Sequence, residues 1–208
     1  MATAPLSGRA FGALRPLSRR RPARELCELC SAVLPPEHPH LLRLSDRHII
    51  CGCDPCAVLF GHRQDHAEYR RIPRDARALA GFTISDTEWS AMRLPIDLAF
   101  FVRDSRGERM TVFYPGPAGS TESLVDLHAW DEMVKGNAEI AAMDSDVEAL
   151  LINRTRGRND AFVAPVDHCY RLTGIIRMYW RGLSGGDEVW HEVENFFTQL
   201  GKGAGWSH

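Results

Sequence analysis

The alternation of apolar and polar positions divides the chain near residue 80. Beyond that point the patterns are long enough to name elements. "LPIDLAFFVRDSRGERMTVFYP" (94–115) holds two apolar runs around the polar turn "DSRG" and predicts a pair of strands. A helix should follow, capped by Ser120 or Thr121, because Leu124, Leu127, Trp130 and Val134 recur at helical spacing. "DVEALLINR" (146–154) fits helix or strand, and "AFVAP" (161–165) reads as a strand ending at Pro165. Asp167 can cap a helix whose apolar positions are Tyr170, Ile175, Ile176 and Tyr179. "GLSGGDE" interrupts the pattern. A last helix carries Val189, Trp190, Val193, Phe196, Phe197 and Leu200 and should end before Gly201. Strands followed by helices in this order predict an α+β domain with a mainly antiparallel sheet, over residues 81–202.

The first eighty residues read differently. Residues 1–24 carry six arginines and no acid, the composition of a disordered basic tail. Residues 25–60 form a cysteine-rich segment in which "HLLRL" and "HIIC" flank "SDR", a short hairpin. Residues 61–80, rich in charge and broken by Pro73, read as a linker with one short helix.

Charge changes the picture of partners. Without the six tail arginines the net charge of −2 becomes −8 for residues 25–208. An acidic body counts against strong nucleic-acid binding. No apolar run reaches the roughly 20 residues of a membrane-spanning helix. The arginines at 19–21 precede no apolar stretch of the kind an export signal needs, so the expected location is cytoplasmic, where thiols stay reduced.

Five of the six cysteines lie between residues 27 and 56. Cys27 and Cys30 form one C-x-x-C pair, and Cys53 and Cys56 form another. A two-residue spacer lets both sulfurs of a tight turn converge on one ion, and two such pairs supply a tetrahedral set of four thiolates. The unit has almost no core of its own, so metal ligation would supply much of its folding energy. The sequence therefore predicts a zinc-ribbon-like or rubredoxin-like module with Cys27, Cys30, Cys53 and Cys56 as ligands and Cys51 as an alternative ligand. His38, His40 and His48 can also bind metal, but they read as solvated hairpin histidines beside four better thiolate candidates. Cys169 reads as a buried small residue. Asp167, His168 and Cys169 are consecutive on a predicted helix and would not converge as a triad.

Four thiolates suit zinc and iron alike. Rubredoxin knuckles usually place glycine after the second cysteine, where this chain has Ser31 and Ala57. That difference favours Zn²⁺, with a rubredoxin-like iron site or an iron–sulfur cluster as alternatives. No phosphate loop, dinucleotide glycine fingerprint or nucleophile elbow occurs, so the residues point away from an enzyme. A zinc-ribbon nucleic-acid-binding module is a further alternative, against which the acidic body counts.

"CELC…CGCDPC", "FYPGPAGSTES", "DVEALLINR" and "DHCYRLTGIIRMYWRGLSGGDEVW" together resemble an uncharacterised protein family. Its genes lie in clusters encoding high-affinity, oxygen-tolerant NiFe hydrogenases. The resemblance covers residues 25–200 and implies a role beside the hydrogenase: maturation, assembly or electron transfer. The implied partner is a NiFe-hydrogenase subunit or maturation factor. Trp180 and Arg181, in the turn "YWRGLSGG", are the candidate partner-binding residues, because Trp and Arg are over-represented at interface hot spots.

Overall fold

Alternation along the strands builds two antiparallel sheets. The computed structural model describes residues 24–61, 67–106, 109–124, 130–131, 134–135 and 137–203. The smaller sheet has the order β2-β1-β3, formed by β1 (His40–Arg43), β2 (His48–Cys51) and β3 (Tyr69–Arg71). The larger has the order β4-β9-β8-β5-β6-β7. Its strands are β4 (Arg77–Ala78), β5 (Leu98–Asp104), β6 (Arg109–Gly116), β7 (Gly119–Leu124), β8 (Glu148–Asn153) and β9 (Asp160–Pro165). Every pair in it is antiparallel, as the sequence predicted for an α+β fold.

The period of two sends neighbouring side chains to opposite faces. Phe100, Leu151, Phe162 and Ala164 enter one core, and Phe101, Leu150, Ile152 and Val163 enter the other. The first face is covered by α4 (Val166–Tyr179) and α5 (Gly186–Gly203). On the second face, α2 (Asp86–Ala91) contributes Trp89 and α3 (Ala138–Ala141) contributes Ile140, beside Trp130. Both faces being covered explains why β8 and β9 are buried at every position. "DVEALLINR" is thus a strand from Glu148 to Asn153, for this reason.

Several expectations need correction. Ser120 and Thr121 do not cap a helix; they lie in β7, opposite Pro115 and Tyr114. Pro117 and Ala118 form a two-residue turn between the paired Gly116 and Gly119, and this turn carries the chain back along β6. Leu124 ends that strand, Leu127 lies outside the described residues, and Trp130 and Val134 pack on the second face. Asp167 is the second residue of α4 and not its cap, since the helix starts directly after Pro165. The fully buried stripe of α4 is Val166, Cys169, Leu172, Thr173 and Ile176, whereas Tyr170, Ile175 and Tyr179 border it. The last helix runs to Gly203, with Gly201 buried against its neighbours.

The segment read as a linker carries two short strands and no helix among its described residues. β3 joins the small sheet and β4 the large one, so residues 69–78 pass from one to the other. Ile72 and Leu42 are buried in the same cluster as Phe100, Val166 and Phe197. Arg47, at the hairpin turn, lies 5.3 Å over the Phe113 ring. Arg70 donates to the Ser145 carbonyl at 2.9 Å and to Asp146 at 3.2 Å. The cysteine-rich hairpin is therefore seated on the helical face of the larger sheet.

Candidate metal centre

The two cysteine pairs are held by different backbone devices. Around the first, the Ser31 N–H donates to the Cys27 carbonyl at 2.7 Å and the Cys27 N–H to the Ala32 carbonyl at 2.8 Å, closing a knuckle. Ser31 adopts a left-handed φ of 63°, the conformation a glycine would take without strain. The hairpin of β1 and β2 follows. Its turn is held by Arg43, which donates to both Asp46 carboxylate oxygens at 2.9 and 2.7 Å. At the close of β2, a Cβ on Gly52 would stand 2.5 Å from Cδ1 of the buried Leu41, so a side chain there would displace that leucine.

The second pair lies in the first turn of a helix. Cys53 is the N-cap of α1 (Asp54–Phe60), Pro55 occupies the first turn, and the Ala57 N–H donates to the Cys53 carbonyl at 2.9 Å. One helical turn brings Cys53 and Cys56 to the same side. The predicted hairpin thus joins a knuckle to a helix start.

Cys27, Cys30, Cys53 and Cys56 converge, with their four sulfurs within 4.8 Å of one another. Cys30 Sγ and Cys53 Sγ are 3.6 Å apart. Metal–sulfur bonds of about 2.3 Å in a tetrahedron need an edge of roughly 3.8 Å, so the donors fit a tetrathiolate ion. All six cysteines are free thiols. Cys27 and Cys56 are buried, Cys30 is exposed and Cys53 lies between, so the centre is sealed on one side and open on the other. Around it, Leu26, Val33, Val58 and Leu59 are exposed apolar side chains.

The thiols titrate unequally. Burial opposes charge on Cys27, but the backbone amides of Cys53, Cys30 and Leu29 outweigh it and hold the thiol down at about 6. Hydrogen bonding to Cys53, with burial, pushes Cys56 up to about 12. A thiolate and adjacent thiols in one cluster are primed to exchange protons for a cation.

Cys51 stands outside this set. Its sulfur groups with His38 and His40, and His48 belongs to neither group. Neither His38 nor His40 is a solvated hairpin side chain: His38 is 6% exposed and His40 is half-buried against Asp167. The sequence signal was available in the His-Pro-His spacing, since residues i and i+2 of an extended chain face the same way.

The turn holding Trp180 and Arg181 is the other candidate site. Trp180 is half-buried, packs edge-on against Trp190 at 6.2 Å, and donates from its indole N–H to the Gly182 carbonyl. Arg181 is exposed and ties its own turn, donating to the Met178 and Trp180 carbonyls. Met178 and Leu183 beside it are largely or fully exposed. Cys169 is fully buried, as predicted, and burial pushes its thiol well up. Among the described residues no helix is long and apolar enough to cross a membrane.

No curated protein and no solved structure matches the chain. Residues 26–204, which span the cysteine module, both sheets and the last helix, match a family of unknown function, DUF5947, and the chain belongs to that family.

Proposed function

We propose that this chain is a non-enzymatic accessory protein. Its four-cysteine centre binds Zn²⁺ as a structural ion and holds a docking surface for a NiFe-hydrogenase subunit or maturation factor. The observation that carries the metal reading is the convergence of Cys27, Cys30, Cys53 and Cys56 from a knuckle and a helix start. Four thiolates form a closed coordination set, the usual arrangement for a zinc ion that stabilises a fold without reacting. The exposed apolar side chains around the centre and beside Arg181 support docking, since such positions bind partners when they cluster. The hydrogenase as partner rests on the resemblance of the sequence motifs. The acidic body favours a protein partner over nucleic acid.

A second reading is supported by the exposure of Cys30. A ligand sulfur open to solvent offers a short path for an electron, so an iron-loaded centre would serve as a carrier for the hydrogenase. Elemental analysis of anaerobically purified protein, with its visible spectrum, separates the two. Zinc gives a colourless protein. Ferric thiolate or iron–sulfur absorption, with iron in stoichiometric amount, overturns the structural reading in favour of the carrier.

A further inference from the structure

The segment entering the hairpin presents a second set of ligand atoms. Pro39 separates His38 from His40, and the β1–β2 register sets His40 opposite Cys51. One ligand atom from each of His38, His40 and Cys51 lies within 4.8 Å of the other two. Both histidines have their Nδ1 positions taken. His38 Nδ1 donates to the Pro35 carbonyl at 2.9 Å, and His40 Nδ1 donates to Asp167 Oδ2 at 2.7 Å. Carbonyl and carboxylate oxygens only accept, so Nδ1 carries a proton in each ring, and in the neutral ring the lone pair is on Nε2. That is the tautomer of a metal-bound histidine, and the His40–Asp167 pair is the carboxylate–histidine arrangement that orients such ligands.

His38 supplies a second, independent observation. Its side chain is 6% exposed, and its Nε2 is buried with no hydrogen-bond partner among the described residues. A buried acceptor without a partner is unfavourable, and a cation would satisfy it. Asp167 adds a long-range element: it lies 127 residues from His40 and belongs to α4 of the larger domain. The three ligands therefore sit where the cysteine hairpin meets that domain.

We infer that His38, His40 and Cys51 form a second metal site, for a borderline divalent ion of the zinc, cobalt and nickel class, with one coordination position left for an exchangeable ligand. Two imidazole nitrogens and one thiolate select ions of that class over calcium or magnesium. Three protein donors among the described residues leave the fourth tetrahedral position open, unlike the closed set of four thiolates next to it. His40 and Cys51 are only half-buried, so that position is reachable from solvent. Asp167 acts as a positioning residue through His40.

The test is anaerobic titration of the metal-free full-length chain with Co²⁺ alone, followed by absorbance and by metal content after desalting. The expected stoichiometry is two ions per chain. His38→Ala, His40→Ala and Cys51→Ser should each retain one ion with unchanged tetrathiolate bands. Cys30→Ser should lose those bands and keep the second ion, which separates failure of this site from failure of the tetrathiolate reading. Asp167→Ala should weaken only the second ion, roughly 10- to 100-fold. Circular dichroism identifies any variant that has lost its fold, and the remaining variants then decide. One ion in the wild-type chain, or two ions of undiminished affinity in both His38→Ala and Cys51→Ser, overturns the site.

Discussion

Strand β1 carries two adjacent leucines with different neighbours, which allows a test of how the cysteine module is joined to the rest of the protein. Leu41 is 0% exposed and packs with Ile50 and Ala57 inside the module. Leu42 is 1% exposed and packs with the core that contains Phe100, Val166 and Phe197. Truncating a buried leucine to alanine costs about 2–5 kcal/mol, from lost transfer energy and the cavity left behind. Taking about 3 kcal/mol and a urea slope of about 2 kcal/mol/M, the unfolding midpoint should fall by roughly 1.5 M. Two signals report on the two parts. Cobalt–thiolate absorbance follows the metal centre, and tryptophan fluorescence follows the larger domain through the buried Trp89 and Trp130. For Leu42→Ala both midpoints should fall together, because its cavity opens in the shared core. For Leu41→Ala the cobalt midpoint should fall further than the fluorescence midpoint. A Leu42→Ala variant that loses only cobalt stability, with the tryptophan transition unmoved, would refute the idea that the hairpin belongs to the domain's core.

Other outcomes follow from the site. Cys30 and Cys56 are both shifted up, so at neutral pH both are protonated and must release their protons to bind metal. Affinity for Zn²⁺ should therefore rise with pH, with at least two protons released per ion, measurable in a weakly buffered indicator titration; pH-independent binding would contradict the assignment. Ser31→Gly should stabilise the metal-bound protein by about 0.5–1 kcal/mol, by removing left-handed strain at φ 63°, and thermal melts would show it. Arg181→Ala should weaken association with the proposed hydrogenase partner while leaving metal content and circular dichroism unchanged, and an unaltered co-purification yield would remove this turn from the proposed interface.

Several features could be read along the chain because they depend on near neighbours. The strands around "DSRG", the strand ending at Pro165 and the last helix follow from local periodicity, and the structure contains each of them. The four converging cysteines could be named because a two-residue spacer is itself a local constraint on where two sulfurs can point. Other features depended on what each segment pairs with. β7 lies where helical spacing suggested a helix, because the turn at Pro117–Ala118 delivers it to the edge of β6. The charged segment 69–78 has no strong pattern, yet it bridges two sheets because β1 and β9 offer edges to it. The grouping of His38, His40 and Cys51 needed the hairpin register, and Asp167 needed the docking of that hairpin on α4. Spacing along a chain limits which side chains share a turn or a face, but only the packed arrangement of distant elements brings a carboxylate to a histidine 127 residues away.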